Sequence, residues 1–401
     1  MIEITGKYGT AKVYVRDFSK IEDDAVKLVY NFLNSEAAKN TQVRIMPDVH
    51  CGKGVNIGTT IKYEDRVVPA TVGCDIGCGM EVVKLSKDVP IDLKNLDKVC
   101  RQRVPMGMKG RKTKHKFCDN VHLEDLITDV SIEQELLKLG SLGSGNHFLE
   151  LDVDDEGNKY LVIHSGSRHL GIVIESFYTK KAIAYHENKT KLKDALIAKL
   201  KAEGREKEIS AELAKIDNPK VNRDLAYLEG ELLEDYIHDM KIAQEYAYWN
   251  RKAMQAEILD ALNIKRKDIL DSFCTMHNYI DIENKIIRKG AISLQRDEKA
   301  IIPMNMADGC LIVKGKGNEE WNRSGPHGAG RLYSRSAAKE KLKMEDFKES
   351  MKGIYTTSVS ASTIDESKMA YKPMQDIIEN IQDTCDIIMR IKPIWNIKAS
   401  D

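Results

Sequence analysis

Residues 41–85 read TQVRIMPDVHCGKGVNIGTTIKYEDRVVPATVGCDIGCGMEVVKL, and this stretch decides the fold. Its apolar runs TQVRIM (41–46), VNIGTTI (55–61), RVVPATV (66–72) and MEVVKL (80–85) are short and rich in β-branched residues. Gly, Pro and Asp separate them, which is the spacing of successive strands in a sheet and not of strand–helix–strand units. Further along, NKYLVIHS (158–165) and ILDSFCTMHN (269–278) continue the strand pattern, each reaching a histidine near its end. Between them, residues 172–262 place apolar side chains at helical spacing among many Lys and Glu, as in LKDALIAKLKAEG and LLEDYIHDMKIAQEYA. They predict a helical arm inserted in the domain. Residues 331–345 and 373–392 predict a second helix-rich portion, and no internal repeat is present.

Composition sets the frame. The 401 residues are 42% hydrophobic, enough for a large core, and 62 basic residues balance 62 acidic ones, so any anion site must be local. The first residues, MIEITGKYGTAKVYV, alternate like a strand, and no run of eighteen apolar residues follows. The expectation is a cytoplasmic protein with no membrane segment. Eight scattered cysteines show no disulfide framework and are expected as free thiols or metal ligands.

The stretch GCDIGCGM (73–80) sets Asp75 and Cys78 three residues apart on a backbone loosened by Gly73, Gly77 and Gly79. Four of the ten histidines lie at strand ends or in glycine-rich segments: His147, His164, His277 and His327. Together these six residues make an inventory for two divalent ions, and a thiolate beside a carboxylate favours Mn²⁺ or Zn²⁺ over Mg²⁺. A small buried core residue remains the other reading of Cys78. His115, His122, His186 and His238 sit in charged or helical stretches and are expected at the surface; His169 is set aside. Cys51 is a weaker candidate, because it and its neighbour His50 face opposite ways on an extended segment.

A third signal concerns phosphate. SGSRH (165–169) and HGAGRLYSR (327–335) combine small residues with arginines suited to phosphate oxygens. A helix starting near Ala329 would set Arg331 and Arg335 on one face. Neither GxxxxGK[ST] nor GxGxxG after a strand occurs, and no lysine-centred KxDG is present. A nucleotide activated covalently would need another nucleophile, and a histidine can serve.

MPDVHCGKG (46–54), VGCDIGCGM (72–80), LGSGNHFLE (142–150), IHSGSR (163–168), His277-Asn278, RKGA (288–291) and HGAGRLYSR (327–335) occur in the order seen in the RtcB family of RNA ligases, and AYK (370–372) and KPIWNIK (392–398) resemble that family's close. The resemblance runs nearly end to end. It implies a single α/β domain over 1–401, with a β-sandwich-like core, flanking helices and the 172–262 insertion. It implies joining of an RNA 3′-phosphate or 2′,3′-cyclic phosphate to a 5′-hydroxyl, in RNA repair or tRNA splicing, with GTP and two Mn²⁺ ions, and in some relatives an archease-like activator.

By the same resemblance, the metal ligands fall on Asp75, Cys78, His147, His164 and His277, and the guanylylated residue on His327. Nucleotide contacts fall on Asn146, Glu150, Ala329, Gly330, Tyr371 and Lys398, with Glu150 accepting from guanine N1 and N2. RNA phosphate contacts fall on Arg168, Arg331 and Arg335. Asn305 and Cys310 stand where serines commonly contact the nucleotide, and His169 where glycine is usual, so the chain reads as a divergent branch. Two other classes fit the residues: a two-metal phosphoesterase acting on RNA ends without covalent nucleotide, and a non-catalytic binder of RNA ends or guanine nucleotide.

Overall fold

The computed structural model describes residues 1–399 except 18, 20 and 215–220. The protein is mixed α/β, built on one large sheet. Across it the strands run Ile2–Thr5, Thr10–Val13, Gln42–His50, Ile57–Lys62, Ile286–Lys289, Ile269–Asp281, Cys78–Leu85, Lys159–Ser165, Phe148–Val153, Cys385–Lys398, Gly309–Gly315 and Lys299–Asn305. Neighbours are antiparallel except where Thr10–Val13 meets Gln42–His50 and where Tyr355–Thr356 lies beside Cys385–Lys398.

Alternation along the central strands fills two layers. Val83, Leu85, Leu161, Ile163, Leu149 and Leu151 face one way and pack on Met254, Ile258 and Leu259 of the helix Glu231–Ala261. Met80, Val82, Tyr160 and Val162 face the other way and meet Ile301, Cys310, Ile312 and Ile391, so the far end of the sheet folds back over its centre. Ile301 N donates to Thr275 Oγ1 at 3.2 Å across this fold. The result is the sandwich-like core.

The stretch 172–262 resolves into two long helices, His169–Ala202 and Glu231–Ala261, with short turns and helices between them; the expectation for 215–220 lies outside the described residues. The second helix is not an exposed arm. Tyr236, Met240, Ala243, Ala247, Met254 and Ile258 repeat at helical spacing and are buried, and Arg251 reaches through to donate to the Gly77 and Ser165 carbonyls at 2.7 and 2.8 Å. Lys252 pairs with the buried Glu81 at 2.7 Å.

Three local expectations need correction. RVVPATV is a strand only at Arg66–Val67; Pro69, with no N–H for a ladder, opens the short 3₁₀ turn Pro69–Thr71 instead. Residues 373–392 are helical only at Met374–Asn380, and Cys385–Lys398 is a strand. Exposed Ile387 and Ile388 mimic a helical apolar pattern, while the alternation Arg390 out, Ile391 in, Lys392 out, Pro393 in is that of a strand. No helix starts near Ala329: Gly330 at φ 76° turns the chain, and Ser334 caps a helix that begins only at Arg335. Arg331 is left outside it, bridged to Tyr371.

Candidate active site

The ends of four adjacent strands meet at one edge of the sheet. Cys78 opens its strand, His164 stands near the end of the next, His147 directly precedes Phe148–Val153, and His277 lies in Ile269–Asp281. Met276 pairs with Gly79 and Asn278 with Cys78, so His277 is the extra residue of a bulge that re-aims its side chain. Gly79 makes that pairing possible, because a Cβ there would lie 2.4 Å from the Thr275 carbonyl oxygen. Gly77, at φ 70°, delivers Cys78 into the strand from a turn in which Cys78 N donates to the Asp75 carbonyl at 3.2 Å.

The side chains converge. Cys78 Sγ lies 3.4 Å from His147 Nε2 and 3.3 Å from His164 Nε2. His164 Nε2 lies 3.3 Å from His277 Nε2, and His147 Nε2 lies 3.1 Å from Asp75 Oδ2. Two triads result, Cys78 with His164 and His277, and Asp75 with Cys78 and His147, the ligand atoms in each within 4.8 Å of one another. They share the sulfur.

The electrostatics fit a pair of divalent ions. Burial, then neighbouring cationic groups, holds His164 and His277 well below the ordinary histidine range, so both are neutral donors. Burial and the adjacent Asp75 push the Cys78 thiol far up, so a thiolate here needs a cation. Burial opposes ionisation of Asp75, but His147 and Cys78 outweigh it and hold the carboxyl low. His147 is oriented by the Leu142 carbonyl, 2.9 Å from its Nδ1.

Beside the triad of Cys78, His164 and His277 stands His327, its ring centroid 5.1 Å from that of His277. Asp48, fully buried on Gln42–His50, accepts from the His327 backbone N–H at 3.0 Å and lies 2.7 Å from its Nδ1. His50 is two residues along the same strand, so it shares Asp48's face; its Nδ1 is 2.9 Å from the Asp48 carbonyl. Burial lowers His50 to about 4, so it is neutral. Sequence reasoning missed Asp48 and His50. The i, i+2 pair in MPDVH, just before a glycine turn, was the available signal.

A cavity of about 570 Å³ opens over this edge. Asn146, Glu150, Asn305, Ala329, Gly330, Tyr371 and Lys398 all line it, with Asp75, His164, His277 and His327 at one end. Glu366, also unanticipated, organises the other end: it accepts from Lys398 Nζ and the Tyr371 hydroxyl, each at 2.6 Å, and pairs with Arg331. Arg331 is thereby held inside the protein, whereas Arg335 lies half-exposed at the rim. Arg168 does not line the cavity; it donates to the Gly107 carbonyl at 2.8 Å and to Ser141 Oγ at 3.2 Å. Cys310 is fully buried behind Glu150 and does not line it either. Asn305 accepts from the backbone of Ala307 and Asp308, which fixes its turn.

The remaining histidines divide. His122 and His238 are at or near the surface, as expected. His115 and His186 are buried, against expectation: His115 caps the turn Lys116–Asn120, and His186 packs on Tyr227 and bonds its carbonyl at 3.0 Å. His169 is half-exposed and 2.7 Å from Glu135. Among the described residues no helix is long and apolar enough to cross a membrane.

A family model described as tRNA-splicing ligase RtcB matches residues 35–131 and 120–399. The chain is 30% identical to the RNA-splicing ligase RtcB of Escherichia coli K12, over 89% of this chain and 90% of that one. It is 25% identical to the tRNA-splicing ligase RtcB of Thermococcus kodakarensis, over 87% and 86% of the two chains. With the protein of the same name from Methanococcus maripaludis it shares 26% over 95% and 93%.

Proposed function

The chain belongs to the RtcB family, and on that premise we propose that it is an RNA ligase that joins a 3′-phosphate, or a 2′,3′-cyclic phosphate once opened, to a 5′-hydroxyl through guanylylation of His327. The observation that carries this reading is the contact of Asp48 with His327 Nδ1. With the Nδ1 proton held against a buried carboxylate, Nε2 keeps its lone pair for attack.

His327 Nε2 attacks the α-phosphorus of GTP; a P–N bond forms, the α–β anhydride breaks and pyrophosphate leaves. The GMP passes to the RNA 3′-phosphate, restoring the histidine. The 5′-hydroxyl then attacks the activated 3′-phosphorus, loses its proton, and GMP departs as the phosphodiester forms. Asp75, Cys78, His147, His164 and His277 would hold two Mn²⁺ ions, which supply charge neutralisation at phosphate oxygens. Glu150 faces the cavity where it can accept from guanine N1 and N2, a donor pair that adenine lacks. Tyr371 and Lys398, fixed by Glu366, bound the same end, and Arg335 at the rim suits an RNA phosphate. The same reading places the reaction in the cytoplasm, in RNA repair or tRNA splicing, with an archease-like protein as activator.

The test is incubation with α-labelled GTP and Mn²⁺, followed by denaturing electrophoresis. A GTP-specific, acid-labile label absent from His327→Ala supports the reading. Folded, metal-loaded protein that takes no label refutes it and turns attention to phosphate release from RNA ends.

A further inference from the structure

Behind the cavity floor lies a second group of metal-ligating side chains, of which the ligase reading uses only Glu150. Glu150 and Asp152, two apart on Phe148–Val153, face the same way, and Cys310 approaches them from Gly309–Gly315. Their ligand atoms lie within 4.8 Å of one another, with Cys310 Sγ 3.7 Å from Glu150 Oε1. Asp152 is fully buried, and its oxygens have no hydrogen-bond partner outside this group; the Glu150 carboxyl and the Cys310 thiol lie against it. Asn396, whose amide donates to Glu150 Oε2 at 3.3 Å, also leaves its own Oδ1 buried and unpartnered. The nearby Lys398 ammonium is committed to Glu366. Two acidic side chains are therefore enclosed beside the apolar layer of Met80, Val82, Val162 and Ile301, and among the described residues no cation forms an ion pair with either. Burial of that kind is costly without a counter-charge.

We propose that Glu150, Asp152 and Cys310 form a further divalent-cation site, separate from the Asp75–Cys78–histidine cluster and selective for Zn²⁺. The selectivity follows from the donors: a thiolate with two carboxylates suits a borderline ion with tetrahedral preference, and disfavours Mg²⁺ and Mn²⁺. Binding converts the Cys310 thiol to thiolate and releases its proton to solvent. Glu150 Oε1 faces the thiol while Oε2 takes the Asn396 amide, so one carboxylate can serve the ion and still face the cavity. The site stands whether or not His327 is guanylylated.

Co²⁺ is the probe, because a thiolate ligand gives it a charge-transfer absorption. Metal-free Cys78→Ala protein, which lacks the other cluster's sulfur, should develop that band and saturate with a single ion; Cys78→Ala/Cys310→Ser should develop none. In the otherwise intact chain, Cys310→Ser and Asp152→Asn should each lower the Zn²⁺ retained after gel filtration by one ion, counted by elemental mass spectrometry. The proposal is overturned by a folded Cys78→Ala protein without the band, or by Cys310→Ser protein that retains as much Zn²⁺ as the wild type. Should Cys78→Ala not fold, the Zn²⁺ count decides alone.

Discussion

Asp48 Oδ2 meets His327 twice, at the ring Nδ1 and at the backbone N–H, so one buried carboxylate fixes both the position and the tautomer of the histidine. Asp48→Asn keeps the shape but can donate to Nδ1, which favours the tautomer protonated at Nε2. The rate of His327 labelling by GTP should fall roughly 10²–10⁴-fold, by analogy with the same change in a serine-protease triad. Circular dichroism should be unchanged, and Mn²⁺ binding should persist. Labelling at the wild-type rate would show that Asp48 does not set the nucleophile.

Cys78 belongs to both triads, whereas each histidine belongs to one. Cys78→Ala should therefore weaken both ions, and His277→Ala chiefly one. Calorimetric titration with Mn²⁺ should separate the two variants by stoichiometry, with RNA joining lost in both. Retained joining by Cys78→Ala in Mn²⁺ would contradict the shared-sulfur arrangement.

Gly79→Ala tests the bulge. The added Cβ meets the backbone oxygen of Thr275, not a flexible side chain, so the two strands must part. Stability should drop by about 1–3 kcal/mol in urea unfolding, the usual cost of overpacking. Mn²⁺ affinity should fall as well, although Gly79 is no ligand, because His277 is aimed by this pairing.

Glu366 is buried with Arg331, Lys398 and Tyr371 around it. Burial alone would raise its carboxyl, but Lys398 and Arg331 outweigh that and hold it below the ordinary glutamate value. A depressed acid contributes stability that is complete above the unfolded value, about 4.3, and is lost as pH falls through the lower folded value. Glu366→Gln should cost about 3–5 kcal/mol at neutral pH, since it strands two buried cations. It should also flatten the acid limb of the stability curve and weaken GTP binding.

Much of this site was legible because chemistry and backbone spoke together: His147, His164 and His277 stand out at strand ends, and Asp75 and Cys78 in a run of glycines. Asp48 and His50 were harder to see, since their role depends on Gln42–His50 passing beneath His327, a contact 279 residues away in sequence. Glu366 was invisible for a similar reason: it is an ordinary glutamate in TIDESK until Lys398 and Arg331, from distant segments, close on it beside the nearby Tyr371. The strand Cys385–Lys398 was misread through residue 392 because local periodicity does not report which side of a sheet is covered. His115 and His186 were misplaced because a charged neighbourhood in sequence says little about the partner that buries a ring.

The strand Cys385–Lys398 sits between Phe148–Val153 and Gly309–Gly315, and it supplies Trp395 to the core and Lys398 to the cavity. During synthesis the chain reaches every residue of the two triads and His327 before this strand emerges from the ribosome. The sheet then waits with an open seam that leaves its last two strands unattached, and pairings this far apart in sequence form slowly. A nascent chain thus displays its thiol and imidazoles before it has a pocket to shelter them. Ribosome stalling ahead of residue 385 should leave a metal-scavenging, aggregation-prone intermediate, and the seam strand is the point at which a chaperone would have most to protect.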